Sequence, residues 1–114
     1  MRNISIEFFN EISELSLPLI RLTKSKNKIT GTATFIFVRP KLFEVIRKTT
    51  QPITQMTLIW GLKKITTQDL SIIFYQGKPF LIKAIFIFHN PTQWFNFLNF
   101  MSHYSKEMGL SFSR

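Results

Sequence analysis

Residues 80–109 read FLIKAIFIFHNPTQWFNFLNFMSHYSKEMG, and the fold turns on the change of rhythm inside them. From Phe80 to Phe88 every residue but Lys83 is apolar. A short run of this kind, rich in Ile and Phe, reads as a central strand covered on at least one side. Asn90-Pro91-Thr92-Gln93 then starts a helix. Asn90 suits the N-cap, Pro91 is preset for the first helical position, and Gln93 completes a capping box. Trp94, Phe97, Leu98, Met101, Tyr104 and Met108 follow at helical spacing, within about 120° of one another on the wheel. Gly109 supplies the left-handed stop. Phe95 and Phe100 fall off that stripe. Together with Phe112 they are candidates for an apolar surface patch.

Upstream of Phe80 the signals are those of strands. Asn3–Phe9 alternates through Ile4, Ile6 and Phe8, and Leu19–Thr23 continues after Pro18. A charged turn, Lys24–Ile29, leads to Gly31, which opens a strand over Thr32–Arg39. Its Ala33, Phe35 and Phe37 share one face, and Thr32, Thr34, Ile36 and Val38 the other. Pro40 stops it. Leu42–Gln51 is a connection with room for a helical turn. Ile53–Trp60 and Leu62–Ile65 form a hairpin about Gly61. One long strand, Thr66–Tyr75, reaches the turn Gln76-Gly77-Lys78-Pro79 and returns as Phe80–Phe88. The predicted fold is therefore α+β: a single antiparallel sheet of about four to six strands, with the C-terminal amphipathic helix packed on one face.

The chain has 114 residues, which is one domain spanning 1–114. It carries 15 Lys+Arg against 6 Asp+Glu, a net charge of +9. Residues 21–64 hold ten bases against Glu44 alone, so the whole excess sits in one segment. Such a charge points to an anionic partner: nucleic acid, acidic lipid or an acidic protein face. There is no Cys, which excludes disulfides, thiolate nucleophiles and Cys-based metal sites. No run approaches the roughly 18 apolar residues of a membrane span. The N-terminus lacks signal or transit features, because Glu7, Glu11 and Glu14 come too early. The heavy use of Phe, Ile, Lys and Asn fits AT-rich codons, so part of the charge reads as mutational drift.

Catalytic chemistry finds little to work with. Asp69 is the sole Asp and the Glu residues are scattered; His89 and His103 lack carboxylate neighbours and read as ordinary surface histidines. Four glycines at turns and caps rule out phosphate-cradling loops. No enzyme, cofactor or metal site is predicted. Phe35 and Phe37 resemble the stacking aromatics of an RNA-recognition sheet, yet read more economically as core beneath the helix. The lysines beside Leu19–Thr23 either blunt a sheet edge or steer an acidic segment onto it.

Ile20-Arg21-Leu22-Thr23-Lys24-Ser25-Lys26 followed by Gly31-Thr32-Ala33-Thr34-Phe35-Ile36-Phe37 resembles the hallmark stretch of the Psb28 family. The likeness continues through Ile53-Thr54-Gln55-Met56, Gln76-Gly77-Lys78-Pro79, Trp94–Met101, Tyr104 and Gly109-Leu110-Ser111-Phe112. Its members are extrinsic photosystem II proteins of cyanobacteria and plastids. The resemblance implies an antiparallel sheet with a C-terminal helix, and a non-catalytic assembly factor. Such a factor attaches transiently to the stromal or cytosolic face of immature photosystem II, near an inner-antenna chlorophyll protein. Relatives tend to be acidic around the turn where Trp60, Leu62, Lys63 and Lys64 stand here. They carry charges where the helix has Asn96, Asn99 and Ser102.

On this reading the partner-binding residues are Arg21, Thr23, Lys24, Ser25, Lys26, Thr32 and Thr34. The partners are the photosystem II core and inner-antenna protein, and the thylakoid surface as a peripheral contact. No small-molecule substrate and no nucleic acid are expected, although a small basic nucleic-acid-binding module is the alternative. The missing transit region and the codon bias favour a plastid-encoded protein on the stromal side of the thylakoid.

Overall fold

The computed structural model describes residues 4–9, 12–14, 16–27, 29–46 and 53–109. The order of elements is β1 (Ile4–Phe9), β2 (Ile12–Ser13), β3 (Leu19–Lys24), β4 (Gly31–Val38), α1 (Leu42–Ile46), β5 (Met56–Trp60), β6 (Lys63–Thr67), β7 (Leu70–Tyr75), β8 (Lys78–Phe88) and α2 (Pro91–Met108). The α+β class and the closing helix stand as predicted. The strands, however, do not share one sheet. They divide into two four-stranded antiparallel sheets, ordered β2-β1-β5-β6 and β3-β4-β8-β7.

The division is made at a corner that the sequence does not advertise. Thr66–Tyr75 contains neither Gly nor Pro and reads as one strand, but the structure ends β6 at Thr67 and restarts at Leu70. The Thr67 hydroxyl donates to the carbonyl of Ile85 (2.6 Å) and accepts from the amide of Asp69 (3.1 Å). The Asp69 carbonyl accepts from the Ile85 amide (3.0 Å). These bonds satisfy the backbone while the chain leaves the first sheet and joins the second. The β7–β8 hairpin then closes through Gln76 (φ 51°) and Gly77 (φ 79°), the positive-φ pair that a tight two-residue turn requires.

One core serves both sheets. Ile4, Ile6, Phe8, Met56, Leu58 and Trp60 face it from the first sheet; Ala33, Phe35, Phe37, Ile82, Ala84, Phe86 and Phe88 face it from the second. Phe8 meets Phe37 edge-on across the layers at 5.4 Å. The predicted faces of β4 are observed: Ala33, Phe35 and Phe37 are buried, while Thr32, Thr34 and Ile36 are only half-buried. β8 lies between β4 and β7, the central position its composition requires.

Helix α2 begins as its sequence prescribes. Asn90 Oδ1 accepts from the Gln93 amide (2.9 Å), Gln93 Oε1 accepts from the His89 amide (3.0 Å), and Gly109 ends the helix at φ 72°. Its stripe is wider than predicted. Trp94 and Phe97 pack on Phe88, and Phe35 also meets Phe97. Phe100 packs on Trp60 of the first sheet at 5.2 Å and is fully buried. A helix touching two sheets buries an arc of roughly 160° rather than 120°. Phe100 therefore leaves the expected surface patch; Phe95 remains exposed, and Phe112 lies outside the described residues.

Candidate functional site

β3 is an end strand: it pairs with β4 on one side and with no described strand on the other. Alternation sends Ile20 and Leu22 toward the core and leaves Leu19, Arg21 and Thr23 on the outer face. Opposite them stand Ile36, Thr34 and Thr32 of β4, in the register Leu19–Ile36, Arg21–Thr34 and Thr23–Thr32. Residues directly opposite have Cβ atoms roughly 5 Å apart. Four of the seven sequence-predicted residues thus form one polar quartet, Arg21, Thr23, Thr32 and Thr34.

The other three belong to the loop that joins the strands. Lys24 ends β3 opposite Gly31, and both Lys24 and Lys26 are exposed. Ser25 has a local duty. Its hydroxyl bonds Asn27 Oδ1 and accepts from the Thr30 amide (3.3 Å), while its own amide donates to the Thr30 carbonyl (3.1 Å). Asn27 Oδ1 also accepts from the Ile29 amide (3.1 Å). The loop is closed by its own small polar side chains, which leaves the two lysines solvated at its surface.

The hairpin is seated by a close approach. A Cβ on Gly31 would stand 2.7 Å from the Thr23 carbonyl oxygen and 2.8 Å from the Trp94 ring. Only glycine lets the first residue of β4 lie against the indole at the head of α2. The basic loop is thereby tied to the helix.

The outer face extends beyond the predicted set. Across β8 the rows continue as Arg21–Thr34–Ile85, Thr23–Thr32–Ile87 and Leu19–Ile36–Lys83. Leu19 is 66% and Ile87 56% exposed, and the one acid beside the rows is Asp69, just before β7, whose carbonyl accepts from the Ile85 amide. Sequence reading missed these aliphatics. Alternation marks them as solvent-facing, but only the cross-strand register gathers them beside Arg21 and Lys83.

Around the remaining chemistry the arrangement is plain. His89 and His103 are both exposed, and the His103 ring bonds the Asn99 carbonyl (2.8 Å). Among the described residues no group of three or more His, Asp or Glu could hold a metal ion. No helix among them is long and apolar enough to cross a membrane. What the β3 region offers chemically is a strand edge with no described neighbour, two exposed ammonium groups and a guanidinium beside hydroxyls. That set suits main-chain pairing with an extended anionic segment.

A family model described as "Psb28 protein" matches residues 6–112. The chain is 38% identical over 109 residues to "Photosystem II reaction center Psb28 protein" of Guillardia theta, an alignment covering 96% of this chain and 94% of that one. It is 36% identical over 110 residues to the protein of the same description from Pyropia yezoensis, with 96% of each chain covered. The corresponding cyanobacterial protein of Gloeothece citriformis is 38% identical over 109 residues, again with 96% of each covered.

Proposed function

The chain belongs to the Psb28 family, and on that premise we propose that it is a non-catalytic photosystem II assembly or repair factor that works by binding alone. It attaches transiently to the stromal or cytosolic face of immature photosystem II, near the inner-antenna chlorophyll protein, as a peripheral component of the thylakoid. Its relatives are named as photosystem II reaction centre proteins over nearly their whole length, which supports the association.

The observation that carries the mode of binding is the edge of β3 that no described strand covers, with Arg21, Lys24 and Lys26 exposed along and just beyond it. An extended segment of the partner pairs its backbone with β3, and its carboxylates meet those three cations. Thr23, Thr32 and Thr34 offer hydroxyls on the adjoining face. Backbone pairing supplies affinity, while charge governs encounter and salt sensitivity.

The test is a pull-down of purified photosystem II assembly intermediates at low and moderate salt. The Arg21→Glu/Lys24→Glu/Lys26→Glu protein is expected to lose most of the capture seen with wild type at low salt. Equal capture by both proteins would sink the charge-steering mode. Filter binding with RNA separates the nucleic-acid reading, which requires steeply salt-dependent affinity in roughly the micromolar range. The burial of Phe35 and Phe37 argues against that reading, because neither ring can reach a base.

A further inference from the structure

A second concave surface lies on the first sheet, on elements that the β3 edge does not share. The β5–β6 hairpin and the C-terminal half of α2 form the two walls of a groove of about 690 Å³. Ile4 and Trp60 make an apolar floor, each with a small part of its surface open. Gly61, at φ 60°, starts the two-residue turn of the hairpin, and Leu62 stands at its tip fully exposed. A leucine at that place contributes nothing to burying this chain's own core. Asn, Gly or Asp would make the turn at least as well. Its apolar surface gains only from a contact outside the chain.

The walls are basic. Lys63 projects from β6, and His103 and Lys106 come from α2 across the groove. Glu107 is the one acid among the described lining residues, and it already has a partner within the chain. The two lysines outnumber Glu107, so a neutral apolar occupant would leave the groove with excess positive charge. A flat bilayer surface does not enter a groove walled by a hairpin and a helix.

We propose that this groove docks an acidic polypeptide segment carrying one large apolar anchor residue. The anchor sits on Trp60 beside Leu62, and carboxylates on either side of it pair with Lys63 and Lys106. Aromatic floors of this kind are where binding energy concentrates, while rim charges set specificity. The proposal stands independently of what the β3 edge binds.

The indole N–H resonances of the intact protein test it. The chain has two Trp, so the Trp60 signal is assigned with Trp60→Phe, and the Trp94 signal reports that the core is intact. The probe is the capped peptide Glu-Asp-Gly-Phe-Asp-Glu, with Glu-Asp-Gly-Gly-Asp-Glu, Lys-Lys-Gly-Phe-Lys-Lys and dodecanoate as comparisons. The first peptide is expected to shift the Trp60 resonance saturably and leave Trp94 unmoved. The glycine and lysine peptides should bind at least about tenfold more weakly. Lys63→Glu/Lys106→Glu and Leu62→Ser should each weaken the first peptide by about tenfold. A Trp60 signal unmoved by the first peptide, equal affinity for the lysine peptide, or indifference to the charge-reversed variant would overturn the proposal. Tighter binding of dodecanoate than of the peptide would also overturn it, in favour of a site for small amphiphiles.

Discussion

The carboxylate of Glu14 is 4% exposed, yet no described cation is bonded to it; four donors answer it instead. Its Oε2 accepts from the Ser16 amide (3.0 Å), the Ser16 hydroxyl (2.5 Å) and the Lys41 amide (3.2 Å), and its Oε1 from the Leu42 amide (2.8 Å). A side chain 27 residues upstream of Lys41 thus caps the short helix α1, a pairing no local rule could foresee. Its charge is also felt by Tyr104, whose hydroxyl is buried without a hydrogen-bond partner. The phenol is pushed up to about 12 from its ordinary 10.0, first by burial and then by the Glu14 charge. The sign follows: the native state favours the protonated phenol, so this contribution is intact below pH 10 and lost as pH rises through the native value. Between pH 10 and 12 the protein is expected to lose on the order of 2–3 kcal/mol from this residue. Urea melts across that range should show the loss in wild type and its absence in Tyr104→Phe. An unchanged alkaline slope in the variant would refute the attribution. At neutral pH Tyr104→Phe should fold at least as stably, because no bond is broken.

Elements differ in how far their own residues decide them. Helix α2 was legible because Asn90, Pro91, Gln93 and Gly109 act within one turn of either end, on partners supplied by the helix itself. The break between β6 and β7 was not legible, because its signal is the Thr67 hydroxyl bonding Ile85, 18 residues away on another strand. Thr67→Val keeps the volume and the β-branch but removes both hydroxyl bonds. It is expected to cost about 1–2 kcal/mol in urea denaturation. A neutral effect would show that backbone pairing alone turns the corner. The candidate site shows the same contrast. Alternation along β4 placed Thr32 and Thr34 on one face, as observed, whereas Arg21 and Thr23 come opposite them through the register of β3 against β4. The neighbouring Lys83 and Ile87 needed the register of β4 against β8.

At the scale of the whole molecule, the two sheets and α2 bury a single cluster, and Phe8 against Phe37 is one of the places where the layers meet. Phe8→Ala should cost roughly 3–5 kcal/mol. Unfolding should remain one transition whether followed at Trp60 on the first sheet or at Trp94 against the second. Separate midpoints at the two indoles would mean that the sheets unfold independently. Sequence by itself determined the family, the α+β class, the faces of the strands, the caps of the helix and the basic loop at Lys24–Lys26. Each of these rests on near neighbours or on a motif written contiguously in the chain. Tertiary structure alone decided that the strands form two sheets, that Phe100 is core rather than surface, and that Trp60, Leu62 and Lys63 face Lys106 across a groove. Those facts depend on which distant surfaces meet when the apolar faces are buried together, and a local pattern of polarity carries the face of each element but not the identity of its neighbour.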